Sequence, residues 1–161
     1  QSLSHGFMTA LFFALIGMIY ERTHTRDVKK LGGLLKVIPF ISVMYVIAGL
    51  ASLGLPGFSG FMAEMQIFVG AFQHPDMFHR ISTIFTVSAI VITAVYILRV
   101  VGMMLMGPVK NEEYNVLPQA TWYEKTGVLL LLIPITFMGF VPFWITEMVR
   151  ESIQPFIERL L

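Results

Sequence analysis

Cysteine is absent from this 161-residue chain. Disulfides and thiolate metal sites are thereby excluded. Charge is nearly as scarce: 13% of the residues are Asp, Glu, Lys or Arg, against about a quarter in a soluble domain. The few charges sum to +1, so there is no global field to draw in nucleic acid. No zinc-type spacing and no glycine-rich phosphate loop is found. Hydrophobic residues make up 56% of the chain, and the mean hydropathy is +0.75. With so few charges to cover a surface, the chain reads as embedded in a membrane. The 14 phenylalanines and 11 methionines suit lipid-facing and helix-packing surfaces.

Four blocks almost free of charge stand out: 5–20, 37–72 with Glu64 inside it, 81–106 with Arg99 inside it, and 126–146. Each approaches or exceeds the length of a membrane-spanning helix, and the alternation of barrel strands is missing. The expected fold is all-α: a polytopic transmembrane helix bundle of about four spans (about 4–20, 37–72, 81–106 and 126–146). The tail 147–161 mixes Met148, Val149, Ile153, Phe156, Ile157, Leu160 and Leu161 with Arg150, Glu151, Glu158 and Arg159. It reads as an interfacial amphipathic helix kinked at Pro155. Pro134 and Pro142 are expected to kink the fourth span. There is no initiator methionine, and the first block, at about 24 Å, is shorter than the roughly 30 Å hydrocarbon core. The expectation is a chain that begins inside or just before a helix of a larger protein.

The second block is too long for one straight helix, at about 54 Å. Near its middle lies Gly54-Leu55-Pro56-Gly57-Phe58-Ser59-Gly60. Pro56 cannot donate to Ser52 and its ring clashes there; Gly57 and Gly60 ease irregular backbone. Two half-helices joined by a break near 54–60 are expected. Such breaks survive at membrane depth only when buried in protein or lining a wet cavity, and transporters use them to build ion sites.

Link charges set the topology. Arg22, Arg26, Lys29, Lys30 and Lys36 outnumber Glu21 and Asp27 in the first link, whereas 73–80 holds Arg80 and two histidines. The positive-inside rule puts the first link in the cytoplasm and the second outside. The link at 107–125 returns to the cytoplasm, with Lys110 and Lys125 against Glu112, Glu113 and Glu124 giving that return little support.

Glu64 carries the strongest chemical signal. A carboxylate at membrane depth costs about 2.5–3.5 kcal/mol on insertion scales and typically marks a proton relay or a static ion pair between helices. His5, near the start of the first block, can accept on one ring nitrogen and donate on the other; a backbone-bonded histidine at a helix end is the plain alternative. Arg99 reads as snorkelling to an interface, or as a countercharge to a polar interior. His24 and Asp27 lie in the basic link. There Asp27 is placed to cap a short helix from Val28, with proton entry the alternative role. His74 and His79 flank Asp76 in the outer link and are expected to form a solvated turn, so no metal site is assigned.

Taken together, His5-Gly6, Tyr20-Glu21-Arg22-Thr23-His24-Thr25-Arg26-Asp27, Gly32-Gly33-Leu34 and Leu55-Pro56-Gly57-Phe58-Ser59-Gly60-Phe61-Met62-Ala63-Glu64 resemble a known family. It is the subunit M family of bacterial NADH-quinone oxidoreductase, respiratory complex I, one of the antiporter-like subunits of its membrane arm. The resemblance covers nearly the whole chain and is clearest over 5–72. It implies roughly the last four helices of a protein of about fourteen. It places Glu64 at the ionisable position of the second discontinuous helix, glutamate in subunit M and lysine in its sister subunits. His5 falls at the ionisable position of the preceding helix. The implied role is proton translocation through buried ionisable groups, in a multi-pass protein of the bacterial inner membrane beside other membrane-arm subunits. The chain is then part of a translocating enzyme without doing redox chemistry itself. NADH, FMN, iron–sulfur clusters and quinone would belong to other subunits, so no cofactor is expected here. A cation/proton antiporter or membrane-bound hydrogenase complex would use the same helices. A solute transporter would need a polar pocket at the break, and few polar side chains surround Pro56. A structural subunit would hold Glu64 in a static ion pair.

Overall fold

The structure is a computed structural model. It describes residues 1–160, without the side chains of Ile157, Arg159 and Leu160. The tail positions Ile157, Arg159, Leu160 and Leu161, assigned above to an amphipathic helix, lie outside the described side chains. The described residues contain no strand.

The elements in chain order are α1 (Ser2–Thr23), α2 (Leu34–Val37), α3 (Pro39–Ser52), α4 (Ser59–Gln73), α5 (Met77–Leu105), α6 (Trp122–Phe140) and α7 (Pro142–Leu160); a 3-10 turn, Glu112–Val116, precedes α6. Three of them, α1, α5 and α6, are long and apolar enough to cross a membrane, and α3 is a shorter apolar helix. The first span is thus longer than the block 5–20 suggested, and at about 33 Å it matches the hydrocarbon core.

The break in the second block falls where expected, and its local chemistry is resolved. α3 ends at Ser52; Gly54 follows with φ 64° and donates its N–H to the Ala51 carbonyl, a left-handed glycine stop just past the helix end. Leu55-Pro56-Gly57-Phe58 then closes a turn through Phe58 N–H to Leu55 C=O, 3.2 Å. Proline at the second position and a glycine with φ 101° at the third is the pattern of a type II turn. Pro56 therefore shapes the turn, whereas helix termination falls to Gly54.

The fourth span differs from expectation. α6 stops at Phe140, and Val141, with φ −123° and ψ 62°, leaves the helical region as the residue before a proline must. Pro142 opens α7 as its first residue instead of kinking a continuous span. Pro134 does lie inside α6, and Pro155 lies inside α7, which starts five residues earlier than the tail read from sequence.

One end of the bundle carries the densest packing. Leu11, Leu15, Leu34, Ile38 and Ile41 are fully buried, and Phe12 meets Tyr45 edge to face at 5.5 Å. The links 24–33 and 106–121 close over this end. Gly33 donates to Met106 C=O at 3.1 Å, Lys110 Nζ to Lys29 C=O at 2.7 Å, and Gln119 Nε2 to Val37 C=O at 2.6 Å. The turn between α4 and α5 lies at the far end of α5, about 43 Å away along the helix axis. Most of α5 is exposed, Phe85, Val91 and Ile92 included, the surface a spanning helix turns to lipid or to neighbouring helices.

Candidate functional site

Glu64 sits on α4 five residues after its start, half-buried, with its carboxylate turned toward the break. A Cβ built on Gly54 would lie 2.5 Å from Glu64 Oε2 and 3.2 Å from Cδ. Only a residue without a side chain admits the carboxylate here, so Gly54 ends α3 and makes room for Glu64 at once. Beside the carboxylate is a pocket of about 220 Å³ lined by Ser52, Leu53, Phe68, Thr86, Ala89, Ile90 and Thr93. Ser52, Thr86 and Thr93 donate their hydroxyls to carbonyls of their own helices (Gly49, Ser82 and Ala89). Each hydroxyl oxygen keeps acceptor capacity. At about 30 Å³ per water the pocket has room for several. A carboxyl group on a pocket with room for water and three hydroxyl-bearing residues in its lining has the parts of a proton-transfer site. Among the described residues Glu64 has no ion-pair partner; the ion pairs found there are Arg22–Glu124 and His79–Asp76.

The break is clamped from α6. A Cβ on Gly139 would come within 2.6 Å of the Phe58 carbonyl carbon, closer still to the Gly57 carbonyl oxygen. Backbone meets backbone there, and Gly139 is what permits it. Gly60 is buried, and a Cβ on it would sit 3.4 Å from the Ala51 carbonyl oxygen. Gly57 approaches the Phe140 ring. Pro56 is exposed.

His5 is exposed on α1 and its Nε2 lies 3.3 Å from Thr9 Oγ1. No hydrogen bond joins it to Glu64 among the described residues. Their two helices meet instead through Ser4 Oγ and Ser59 Oγ, 2.6 Å apart and both buried. Ser59 opens α4, so this pair ties the start of α1 to the second half-helix. The hydroxyl pair was not singled out in the sequence, where 55 residues separate its members. Nor was Gly139, a lone glycine in an apolar run.

The other sequence candidates are dispersed. Arg99 is exposed on α5, without a hydrogen bond or ion pair among the described residues. His24 is the αL cap ending α1, with φ 50°. Asp27 accepts from Lys29 N–H at 2.9 Å and caps a turn, not the helix expected from Val28. None of the three approaches Glu64 through a hydrogen bond. The basic link is organised by a residue that carried no special weight in the sequence: Arg22 binds both oxygens of Glu124, at 2.9 and 2.8 Å, and donates to the Met18, Pro118 and Gln119 carbonyls.

At the opposite end, His74, Asp76 and His79 present ligand atoms within 4.8 Å of one another. Asp76 caps α5, accepting Phe78 N–H at 3.3 Å, while its other oxygen lies 3.1 Å from His79 Nδ1. The Phe78 N–H and the His79 ring hold its carboxyl below the usual carboxylate range.

Comparison with known proteins sets these features in context. A family model described as "NADH:quinone oxidoreductase/Mrp antiporter, TM" matches residues 1–93, which include α1, the break and Glu64. Subunit M of the NADH-quinone oxidoreductase of Rickettsia felis is 31% identical over 154 residues, 96% of this chain and 30% of that protein. Chain 4 of the NAD(P)H-quinone oxidoreductase of Trichormus variabilis is 36% identical over 155 residues, 92% of this chain and 29% of the relative. Among solved structures, respiratory complex I from Thermus thermophilus with bound NADH matches with a TM-score of 0.72 at 25% identity. That match covers 81% of this chain and 26% of the matched chain. The chain thus spans about 30% of the length of the curated relatives it matches.

Proposed function

The chain belongs to the NADH:quinone oxidoreductase/Mrp antiporter transmembrane family, and we propose that it contributes one segment of a proton path in the membrane arm of a quinone oxidoreductase. The observation that carries this reading is the Glu64 carboxylate turned into a broken helix beside a pocket of about 220 Å³, mostly apolar but with Ser52, Thr86 and Thr93 in its lining. Glu64 takes up and releases a proton; the pocket supplies waters that carry it. His5, at the start of α1 and next in sequence to the Ser4–Ser59 pair, is the partner group on the neighbouring helix. Protons then move between these groups through water, since no hydrogen bond joins the two side chains among the described residues. Electron transfer, with NADH, FMN, iron–sulfur clusters and quinone, belongs to other subunits, and this chain carries none of it. Its partners are the other membrane-arm subunits, neighbouring antiporter-like subunits above all, in a bacterial inner membrane.

A second reading, a subunit of a cation/proton antiporter complex, follows from the same family description, which covers both. The relatives named above carry quinone oxidoreductase names, which favours the first. The test is NADH-driven proton uptake into inverted membrane vesicles by the full complex carrying Glu64→Gln. Loss of uptake with assembly intact supports the relay; uptake at the normal rate overturns it. Uptake driven by a sodium gradient and not by NADH would favour the antiporter reading.

A further inference from the structure

The turn between α4 and α5 places three potential metal ligands in one short stretch, His74-Pro75-Asp76-Met77-Phe78-His79. None of them serves the site at Glu64. Their ligand atoms lie within 4.8 Å of one another, and all three residues are exposed, so an ion can reach them.

The backbone does much of the arranging. His74, φ −60° and ψ 136°, is extended as the residue before Pro75 must be, and it ends α4. Asp76 is the cap of α5, with one oxygen committed to Phe78 N–H and the other already 3.1 Å from His79 Nδ1. His79 lies three residues further on, one turn along the same face. The two imidazoles face each other with centroids 4.1 Å apart and planes tilted by 36°. The Asp76 N–H donates to His74 Nδ1 at 3.3 Å, so that nitrogen is unprotonated and its lone pair is held by a long bond that a metal can replace. Nitrogen and oxygen ligands stand about 2.0–2.2 Å from a zinc ion, hence no more than about 4 Å from each other. Contracting the cluster from 4.8 Å needs side-chain rotation, not rebuilding of the turn.

We propose that His74, Asp76 and His79 form a binding site for a divalent transition-metal ion of the zinc class. Two imidazoles and one carboxylate suit Zn²⁺, Cu²⁺ and Ni²⁺; Mg²⁺ and Ca²⁺ prefer all-oxygen shells. The three ligands leave a fourth position to water, and His74 exchanges its long bond to Asp76 N–H for the metal. Because His74 ends α4 and Asp76 begins α5, the ion staples the helix that carries Glu64 to the helix that supplies Thr86, Ala89, Ile90 and Thr93 to its pocket.

The experiment titrates the full complex in detergent with Cu²⁺ and records electron paramagnetic resonance, with Zn²⁺, Mg²⁺ and Ca²⁺ as competitors. One Cu²⁺ with nitrogen hyperfine structure should bind at micromolar concentration, displaced by Zn²⁺ and unaffected by Mg²⁺ or Ca²⁺. The double variant His74→Ala/His79→Ala should lose that signal or weaken it at least tenfold, and Asp76→Asn should weaken it less. These residues are exposed, so the variants assemble. A signal that persists unchanged in the double variant, or Cu²⁺ binding only at millimolar concentration, overturns the site. The binding readout is independent of proton transfer, so its failure leaves the reading of Glu64 intact, and the converse holds.

Discussion

Gly54 and Glu64 occupy the same space: the missing side chain of one is where the carboxylate of the other rests, 2.5 Å from the position a Cβ would take. Gly54 also adopts φ 64°, a region that costs a residue with a Cβ roughly 1 kcal/mol or more. Gly54→Ala should therefore strain the end of α3 and push the carboxylate out of its place. The expected outcome is an assembled complex with proton uptake reduced severalfold, read in vesicles beside a native gel. Normal uptake would mean that the carboxylate position is not critical.

Gly139 is expected to behave differently, because what it admits is backbone. A methyl group there meets the Gly57 and Phe58 carbonyl groups, which cannot swing aside as a side chain does. Overpacking of this kind costs about 1–3 kcal/mol. Gly139→Ala should lower the thermal stability of the assembled protein and loosen the break against α6. A thermal-shift measurement on the purified complex checks it; an unchanged midpoint would show that α6 moves away at no cost.

Arg22 holds α1 to α6 at the packed end. Its side chain is 5% exposed and serves Glu124 and three carbonyls. Removing it leaves the partly buried carboxylate of Glu124 without its charge partner, and a hydrogen bond to a charged group is worth about 1.5–3 kcal/mol. Arg22→Ala should reduce the amount of assembled subunit in membranes. Arg22→Lys should recover only part of it, since an ammonium cannot make the paired contact to both carboxylate oxygens. Equal recovery with lysine would reduce the contact to a point charge.

Topology follows from the basic link. The structure gathers 24–33 and 106–121 at one end and the α4–α5 turn at the other. By the positive-inside rule, a cysteine at Lys30 should react with an impermeant thiol reagent only from the cytoplasmic side, and one at Asp76 only from outside. Labelling of both from one side would refute the arrangement.

What the sequence disclosed, and what it did not, follows the range of the interactions. Pro56-Gly57 is a local signal: the residues that make the turn adjoin one another, so the break was readable. Its cause was less so, since Gly54 reads as one glycine among three until its αL backbone and its neighbour Glu64 are seen. Pro142 was legible as a proline but not as a helix start, because an apolar run continues on both sides of it. Ser4–Ser59 and Arg22–Glu124 join residues 55 and 102 positions apart, and no periodicity announces such pairs. Glu64 was found for the opposite reason: a single carboxylate in an uncharged stretch needs no partner to be conspicuous.

The Glu64 series separates a relay from a static ion pair. Gln keeps size and hydrogen-bonding capacity but cannot ionise, so for a relay Glu64→Gln should abolish proton uptake or cut it at least tenfold, with assembly unchanged. Glu64→Asp pulls the carboxyl back by one methylene from the space beside Gly54 and should keep part of the activity. Glu64→Lys still exchanges protons once desolvation favours its neutral form. However, its longer arm must fit where Gly54 leaves room for a carboxylate alone, so we expect it to fall below Asp. A static pair gives another order: Lys worst, facing its former cationic partner, Gln intermediate, and the loss seen in assembly instead of transfer. Proton uptake and native-gel assembly measured for all three variants distinguish the two orders. An assembled Glu64→Gln complex that pumps at the normal rate would rule out the relay.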